Sequence, residues 1–283
     1  MHRDLTEHRL SKHHGLGNDF LVHRIGANDD VSAPEWADRA RAWCDRRTGV
    51  GADGLLLLEH KHDGRLGMTL YNADGSRAEM SGNGIRCLVQ AAHRDGADGV
   101  DGANGVEVTE YLVDTDAGPR RVRVVDRVDA DTHLLSVDMG SVSDLEQPRN
   151  WEALQCHPDR PVRHSSLGNP HSVVGVDDVH AVDLQALGSL VPHVNLEIIE
   201  PGPEPHAITM RVHERGAGIT MACGTGACAA AEAAVAWGLV PANAPEVLVH
   251  MDGGDARVVV DRETRGITLI AEATFVATIT VAT

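Results

Sequence analysis

The sequence predicts an α+β protein made of two similar halves. Three observations carry this. Short apolar runs with strand periodicity recur along the whole chain. Each half contains one helical segment rich in small residues. Both helical segments open on the same residue–Gly–polar–Gly pattern, SGNG at 81–84 and CGTG at 223–226. A length of 283 residues suits two domains of roughly 100–150 residues, each with its own core.

In the first half, strands are expected over 19–25, 54–59, 67–71, 106–113, 120–125 and 134–139. A helix follows SGNG through 85–94 and turns Leu88, Val89, Ala91 and Ala92 into a core. The second half repeats that order, with strands over 171–176, 194–199 and 207–212, a helix over 227–237, and strands over 246–251, 256–260, 266–270 and 274–281. Residues 140–163, with three prolines and mixed polarity, read as the connection. The first domain is therefore placed at 1–140 and the second at 141–283, with the last strand, about 271–283, free to pack back on the first half.

Composition narrows the function. A formal net charge of −17 repels nucleic acid and anionic membranes, so neither is an expected partner. No apolar run reaches the roughly 20 residues of a membrane span. The polar first 14 residues lack the apolar core of a secretory signal, and the expected location is cytoplasmic. In that reducing compartment the five cysteines, at irregular spacing, are expected to be thiols. Only two lysines are present, Lys12 and Lys61, and neither sits where a Schiff-base lysine for pyridoxal phosphate would be expected. The histidines show no ligand spacing that calls for a metal. Amino-acid chemistry in this chain would have to proceed without a cofactor.

The two helix openings offer such a route. Glycines at a helix start allow close approach of a ligand, and the free N–H groups of the first turn attract an anion. A thiol there meets the positive helix end, which is expected to lower its pKa and make Cys223 a candidate base. Inverting a stereocentre needs a base on one face of the carbon and an acid on the other, and a pseudo-symmetric pair of helix starts, Ser81 and Cys223, can supply them. A substrate carboxylate held by backbone amides would take up the negative charge as the Cα proton leaves. Each segment alone has a plainer reading as a glycine-flanked helix cap. The matched pair favours a site.

Eight motifs, two of them containing the helix openings, lie in one order along the chain: HGLGNDF (14–20), GADGLLLLE (51–59), YNADGS (71–76), GNGIRC (82–87), GNPH (168–171), VN (194–195), ERG (214–216) and ACGTGACA (222–229). In this set the chain resembles the diaminopimelate epimerase family of the proline racemase-like superfamily over nearly its whole length. The resemblance implies two pseudo-symmetric domains, each a curved mixed β-sheet wrapped around a central helix, with substrate in the cleft between them. It implies no cofactor, and a cytoplasmic isomerase that converts LL- to meso-2,6-diaminopimelate for lysine and peptidoglycan precursor synthesis. By the same resemblance, Asn18, Asn72, Asn169, Asn195 and Arg215 bind polar groups of the substrate. Gly82, Asn83, Gly224 and Thr225 donate amides to the reacting carboxylate, and His171 with Glu214 lies near the acid/base groups. A homodimer is left open.

One position departs from the family, whose first catalytic residue, just before GNG, is cysteine. Here it is Ser81. Cys87 cannot stand in, because six residues of helix place it about 9 Å along the axis and facing elsewhere. A serine hydroxyl donates a proton more readily than it abstracts one and would need a neighbour, His171 or Glu214, to reset it. Two alternatives follow: another cofactor-free racemase, epimerase or dehydratase, and an amino-acid-binding protein that has lost one acid/base group. Singly, the site residues also have plain readings, as turn asparagines, a surface Glu214–Arg215 pair and a satisfied core His171.

Overall fold

The computed structural model of the protein describes residues 7–26, 29–98, 109–241 and 243–282. They form two compact units, one reaching to Ser136 and resuming at Glu272, the other running from Val137 to Ala271. Both are α+β, the class the sequence predicts. Among the described residues no helix is long and apolar enough to cross a membrane.

The first unit contains strands β1 (Glu7–Gly15), β2 (Asn18–Ile25), β3 (Gly54–His60), β4 (Leu66–Asn72), β5 (Arg77–Ala78), β6 (Glu110–Thr115) and β7 (Gly118–Arg127), with helices α1 (Pro34–Cys44) and α2 (Gly82–Asp98). Strand β8 (Thr132–Ser141) carries the chain into the second unit. There lie β9 (Ser143–Asp144), a 3-10 turn (Trp151–Leu154), β10 (Val162–Ser166), β11 (Pro170–Gly175), α3 (Leu184–Leu190), β12 (Asn195–Pro201), β13 (Ala207–Glu214), β14 (Gly218–Thr220), α4 (Gly224–Trp237), β15 (Val247–Met251) and β16 (Gly254–Val260). Strand β17 (Gly266–Ala282) returns the chain to the first unit.

In each unit the central strands carry a helix on either face, which explains their near-continuous apolar runs. In β3, alternation sends Leu55 and Leu57 under α1, into a cluster with Leu10, Leu21, Trp36, Trp43 and Tyr71. Leu56 turns the other way, against the start of α2. In β12, Leu196 and Ile198 join Trp151, Leu184 and Val194 on the α3 side. Asn195, Glu197 and Ile199 therefore share the face of α4. Burying a leucine of this kind is worth about 1.5–3 kcal/mol.

The ladders of the two units match. In the first, β2 runs parallel to β3, β3 antiparallel to β4, β4 parallel to β6 and β6 antiparallel to β7. In the second, β11, β12, β13, β15 and β16 repeat the series. Register makes the correspondence residue by residue. Phe20 lies opposite Gly54 as His171 lies opposite Asn195, so Leu56 and Glu197, each two residues on, occupy equivalent places.

Several elements differ from the sequence expectation. Strand β1 occupies a stretch too polar to read as a strand. It pairs with both β2 and β17, and its buried His13 bonds to Gln90 at 2.7 Å and Ser11 at 2.9 Å. Helix α1 lies where the sequence predicts no element, although its buried Trp36, Ala40, Trp43 and Cys44 stand at amphipathic spacing. Helix α3 spans seven residues, too few for a periodic signal. The two strands expected over 266–270 and 274–281 are one strand, because Ala271 and Ala273 continue its buried face. The segment 140–163 is not a bare connection, since it holds β9, the 3-10 turn and the start of β10. The strand expected from 106 begins at Glu110, with 106–108 outside the described residues.

Candidate active site

Ser81 and Cys223 play the same local part. Ser81 Oγ accepts a hydrogen bond from Gly84 N–H at 3.0 Å while its carbonyl accepts from Ile85 N–H at 2.9 Å. Cys223 Sγ accepts from Gly226 N–H at 3.4 Å and its carbonyl accepts from Ala227 N–H at 2.8 Å. Both are N-caps in which the side chain satisfies the third free amide of the helix. The glycine at that third position leaves room: a Cβ on Gly84 would come within 3.1 Å of Ser81 Cβ, and one on Gly226 within 3.2 Å of Cys223 Sγ.

The loop that meets each helix start is also repeated. Leu16-Gly17-Asn18 leads into β2, whose first residue is Asn18, and Leu167-Gly168-Asn169 leads into β11, with Gly17 and Gly168 at positive φ (82° and 97°), where glycine carries little penalty. In the first unit Asn83 Nδ2 donates to Asn18 Oδ1 at 3.1 Å, and in the second Asn169 Nδ2 donates to Thr225 Oγ1 at 3.2 Å. The structure thus brings Asn18 and Asn83 together, and Asn169 and Thr225, each pair at one helix start.

Around Ser81 the surroundings are apolar below and cationic behind. Leu56 lies 3.5 Å from where a Gly84 Cβ would be. One turn along α2 the fully buried Arg86 donates to Gly82 O at 2.9 Å and to Asn83 Oδ1 at 2.7 Å, so it fixes both residues. Asn18 is held in turn by Asp53, at 2.7 Å from its Nδ2. Asn72, exposed at the end of β4, donates to Ser76 Oγ at 3.0 Å within a turn, and among the described residues its side chain is not hydrogen-bonded to the Ser81 group. Cys87 is fully buried, which pushes its thiol up to about 12.

Around Cys223 the surroundings are ionisable. His171 Nε2 faces Asn169 Oδ1 at 3.0 Å, and its Nδ1 lies 2.6 Å from Glu197 Oε1. Asn169 continues to Thr225, whose Oγ1 lies 3.5 Å from Cys223 Sγ. Glu214 accepts from Thr220 Oγ1 at 2.5 Å. Asn195 Oδ1 accepts from the backbone N–H of Arg215 at 2.9 Å and its Nδ2 donates to Pro170 O at 3.1 Å, while the Arg215 side chain is exposed. Gly224 is buried in the first turn of α4.

The electrostatics at Cys223 correct the sequence expectation. Burial pushes the thiol well above its ordinary range, the Glu214 and Glu197 charges push it further, and the Thr225 hydroxyl and Gly226 amide draw it back only in part. The helix terminus is present, but desolvation and two carboxylates outweigh it. At rest Cys223 therefore carries its proton. Glu197 is the one ionisable neighbour of Cys223 here that the sequence does not place at the site. Burial holds its carboxyl above the usual carboxylate range, His171 offsets this only in part, and the Glu214 charge adds to it. An acid inside the apolar run Asn195–Ile199 was the available signal.

The profile of the family described as "Diaminopimelate epimerase" matches residues 10–145 and 164–276. A diaminopimelate epimerase of Thermosynechococcus vestitus is 38% identical over 272 residues, covering 88% of this chain and 90% of its own length. That of Moorella thermoacetica is 37% identical over 268 residues, covering 87% and 89%. Among solved structures, a phenazine biosynthesis protein of the PhzF family from Bacillus anthracis aligns with a TM-score of 0.72 at 12% identity, covering 98% of this chain and 99% of that one. A hydroxyproline epimerase from Agrobacterium vitis aligns with a TM-score of 0.65 at 14% identity, covering 99% and 93%. Such low identities speak to the fold alone. With the family profile spanning both units and relatives of that name at more than a third identity over most of the chain, this protein belongs to the diaminopimelate epimerase family.

Proposed function

We propose that the protein epimerises LL-2,6-diaminopimelate to meso-diaminopimelate by proton transfer at Cα, with Cys223 and Ser81 as the two acid/base groups. The observation that carries this reading is the repeated cap: one protic side chain in each unit, bonded to the third amide of a helix whose first turn is Gly–polar–Gly. In the forward sense Cys223, once ionised, takes the Cα proton. The charge passes onto the substrate carboxylate, and the amides of Gly82, Asn83, Gly224 and Thr225 stabilise it there. Ser81 O–H then delivers a proton to the other face and must recover one before the next turnover. Because Cys223 rests as a thiol, turnover requires its proton to leave first.

Family resemblance supports Asn18, Asn72, Asn169, Asn195 and Arg215 as groups for the polar ends of the substrate. The exposed fork of Arg215 suits a carboxylate, to which it can donate two parallel hydrogen bonds. His171 and Glu214 are proposed to accept or return protons beside Cys223. The reading extends to a cytoplasmic enzyme and a homodimer, the latter testable by sedimentation of the purified chain. The main test is incubation with LL-diaminopimelate in D₂O. The proposal requires meso product carrying deuterium at one Cα, and deuterium-free, unconverted substrate would contradict it.

A further inference from the structure

Glu197 is fully buried, as is His171, whose ring it meets at 2.6 Å. Its second oxygen finds no donor among the described residues. Nothing in the architecture asks for an acid at this place. The equivalent position of the first unit is Leu56 and the partner position is Phe20, an apolar pair that supports the same ladder and the same helix start. Taking a carboxylate out of water is costly, and apolar residues of similar volume often serve stability as well or better. A buried acid where the fold accepts leucine therefore points to chemistry.

The location says which chemistry. A Cβ on Gly226 would come within 2.8 Å of Glu197 Oε1, so the carboxylate lies directly beneath the turn of α4 that Cys223 caps. From His171 a chain of contacts runs through Asn169 and Thr225 to the sulfur. We propose that Glu197 is a positioning residue of the epimerisation: it anchors the His171 ring through Nδ1 and holds its carboxyl group under the helix turn that carries Cys223, where it is a negative charge by the pH at which the thiol ionises. The proposal rests on the reading of Cys223 as an acid/base group.

Two consequences follow. With Nδ1 facing the Glu197 carboxyl, Nε2–H donates to Asn169 Oδ1, and the Asn169 amide in turn donates to Thr225 and leaves the threonine hydroxyl proton for the sulfur. The charge also opposes ionisation of the thiol, so a thiolate, once formed, is a stronger base towards a weakly acidic Cα–H. The titratable groups facing Glu197 are His171 from β11, Glu214 from β13 and Cys223 ahead of α4. Helix α3, on the opposite face of β12, has none in its sequence LQALGSL.

The test needs no substrate. Labelling of Cys223 by uncharged iodoacetamide is followed against pH by mass spectrometry of its peptide, in the whole protein and in Glu197→Gln. The midpoint for Cys223 should fall by one pH unit or more in the variant, which raises the thiolate population about tenfold at any pH below both midpoints and speeds labelling by about threefold or more, the weaker nucleophile offsetting part of the gain. Cys228, fully buried on the same helix, should stay unlabelled, which separates a charge effect from unfolding. An unchanged midpoint overturns the proposal. Should Glu197→Gln fail to fold, Glu197→Asp withdraws the charge by one methylene and must lower the midpoint by a smaller amount, and no change there overturns the proposal equally. Absence of Cα exchange in the unaltered protein would remove the epimerase reading, while the labelling comparison would still decide the role of Glu197.

Discussion

The two helix starts are copies of one device placed in opposite surroundings. Under Ser81 lies Leu56, and behind it the buried guanidinium of Arg86. Under Cys223 lies the Glu197 carboxylate, with Glu214 adding a second negative charge. The difference teaches that the backbone geometry and the proton chemistry are separable: caps, glycines and asparagine contacts repeat, while the charged groups do not. A serine is also the better helix cap and a thiol the better proton carrier. The first unit is thus arranged for holding and the second for titration.

The largest expected effect comes from removing the titrating atom. Cys223→Ala should lower Cα exchange by roughly 10²–10⁴-fold, the usual worth of a general base. Ligand binding should survive, because the proposed carboxylate donors are backbone amides. Retained exchange, followed by NMR in D₂O, would break the comparison at its root.

Next is the acid response of the first unit. Burial lowers the pKa of His13 from the ordinary 6.5 to about 4. The folded protein then binds fewer protons than the unfolded chain. Its contribution is complete above pH 6.5 and is lost as pH falls from 6.5 towards 4, by about 3 kcal/mol at most. Hydrogen exchange against pH should show β1 and α2 loosening over that window. In His13→Gln this dependence should vanish, and its persistence would assign the acid response to another group.

A swap sharpens the comparison further. Giving the second unit the apolar pair of the first, with Glu197→Leu and His171→Phe, should leave stability unchanged or raise it by about 1–4 kcal/mol, while Cα exchange collapses. Urea denaturation and exchange measured on the same sample decide it. Exchange at the unaltered rate would make the buried pair an ornament of the fold.

The smallest effects lie at the third helical glycines. Gly226→Ala drives a Cβ to 2.8 Å from Glu197 Oε1 and should cost about 1–3 kcal/mol. Gly84→Ala meets Ser81 Cβ at 3.1 Å and Leu56 at 3.5 Å. Its better helix propensity, up to about 1 kcal/mol, should offset most of that crowding. Equal destabilisation in urea would show that the tighter fit beneath α4 has no energetic weight.

Both helix openings were legible because glycine spacing is a local property. So were most buried strands, whose apolar runs show in any short window. What stayed hidden is tertiary. Glu197 reads as a stray acid among apolar neighbours until β12 is paired with β11 and its side chain meets His171. The thiol of Cys223 looks activated from the helix end alone, and only the packed strands bring the two carboxylates that reverse this. The Leu-Gly-Asn repeat at 16–18 and 167–169 was visible in the letters, but its meaning depends on each asparagine reaching its own helix start.

The unequal surroundings make one kinetic claim, that Cys223 abstracts while Ser81 donates. It is tested by the initial rates of deuterium uptake at Cα from LL- and from meso-diaminopimelate, measured separately before the isomers equilibrate. The expected result is much faster uptake from one isomer than from the other, with Ser81→Cys accelerating the slower one. Equal and rapid uptake from both isomers in the unaltered protein would contradict the account.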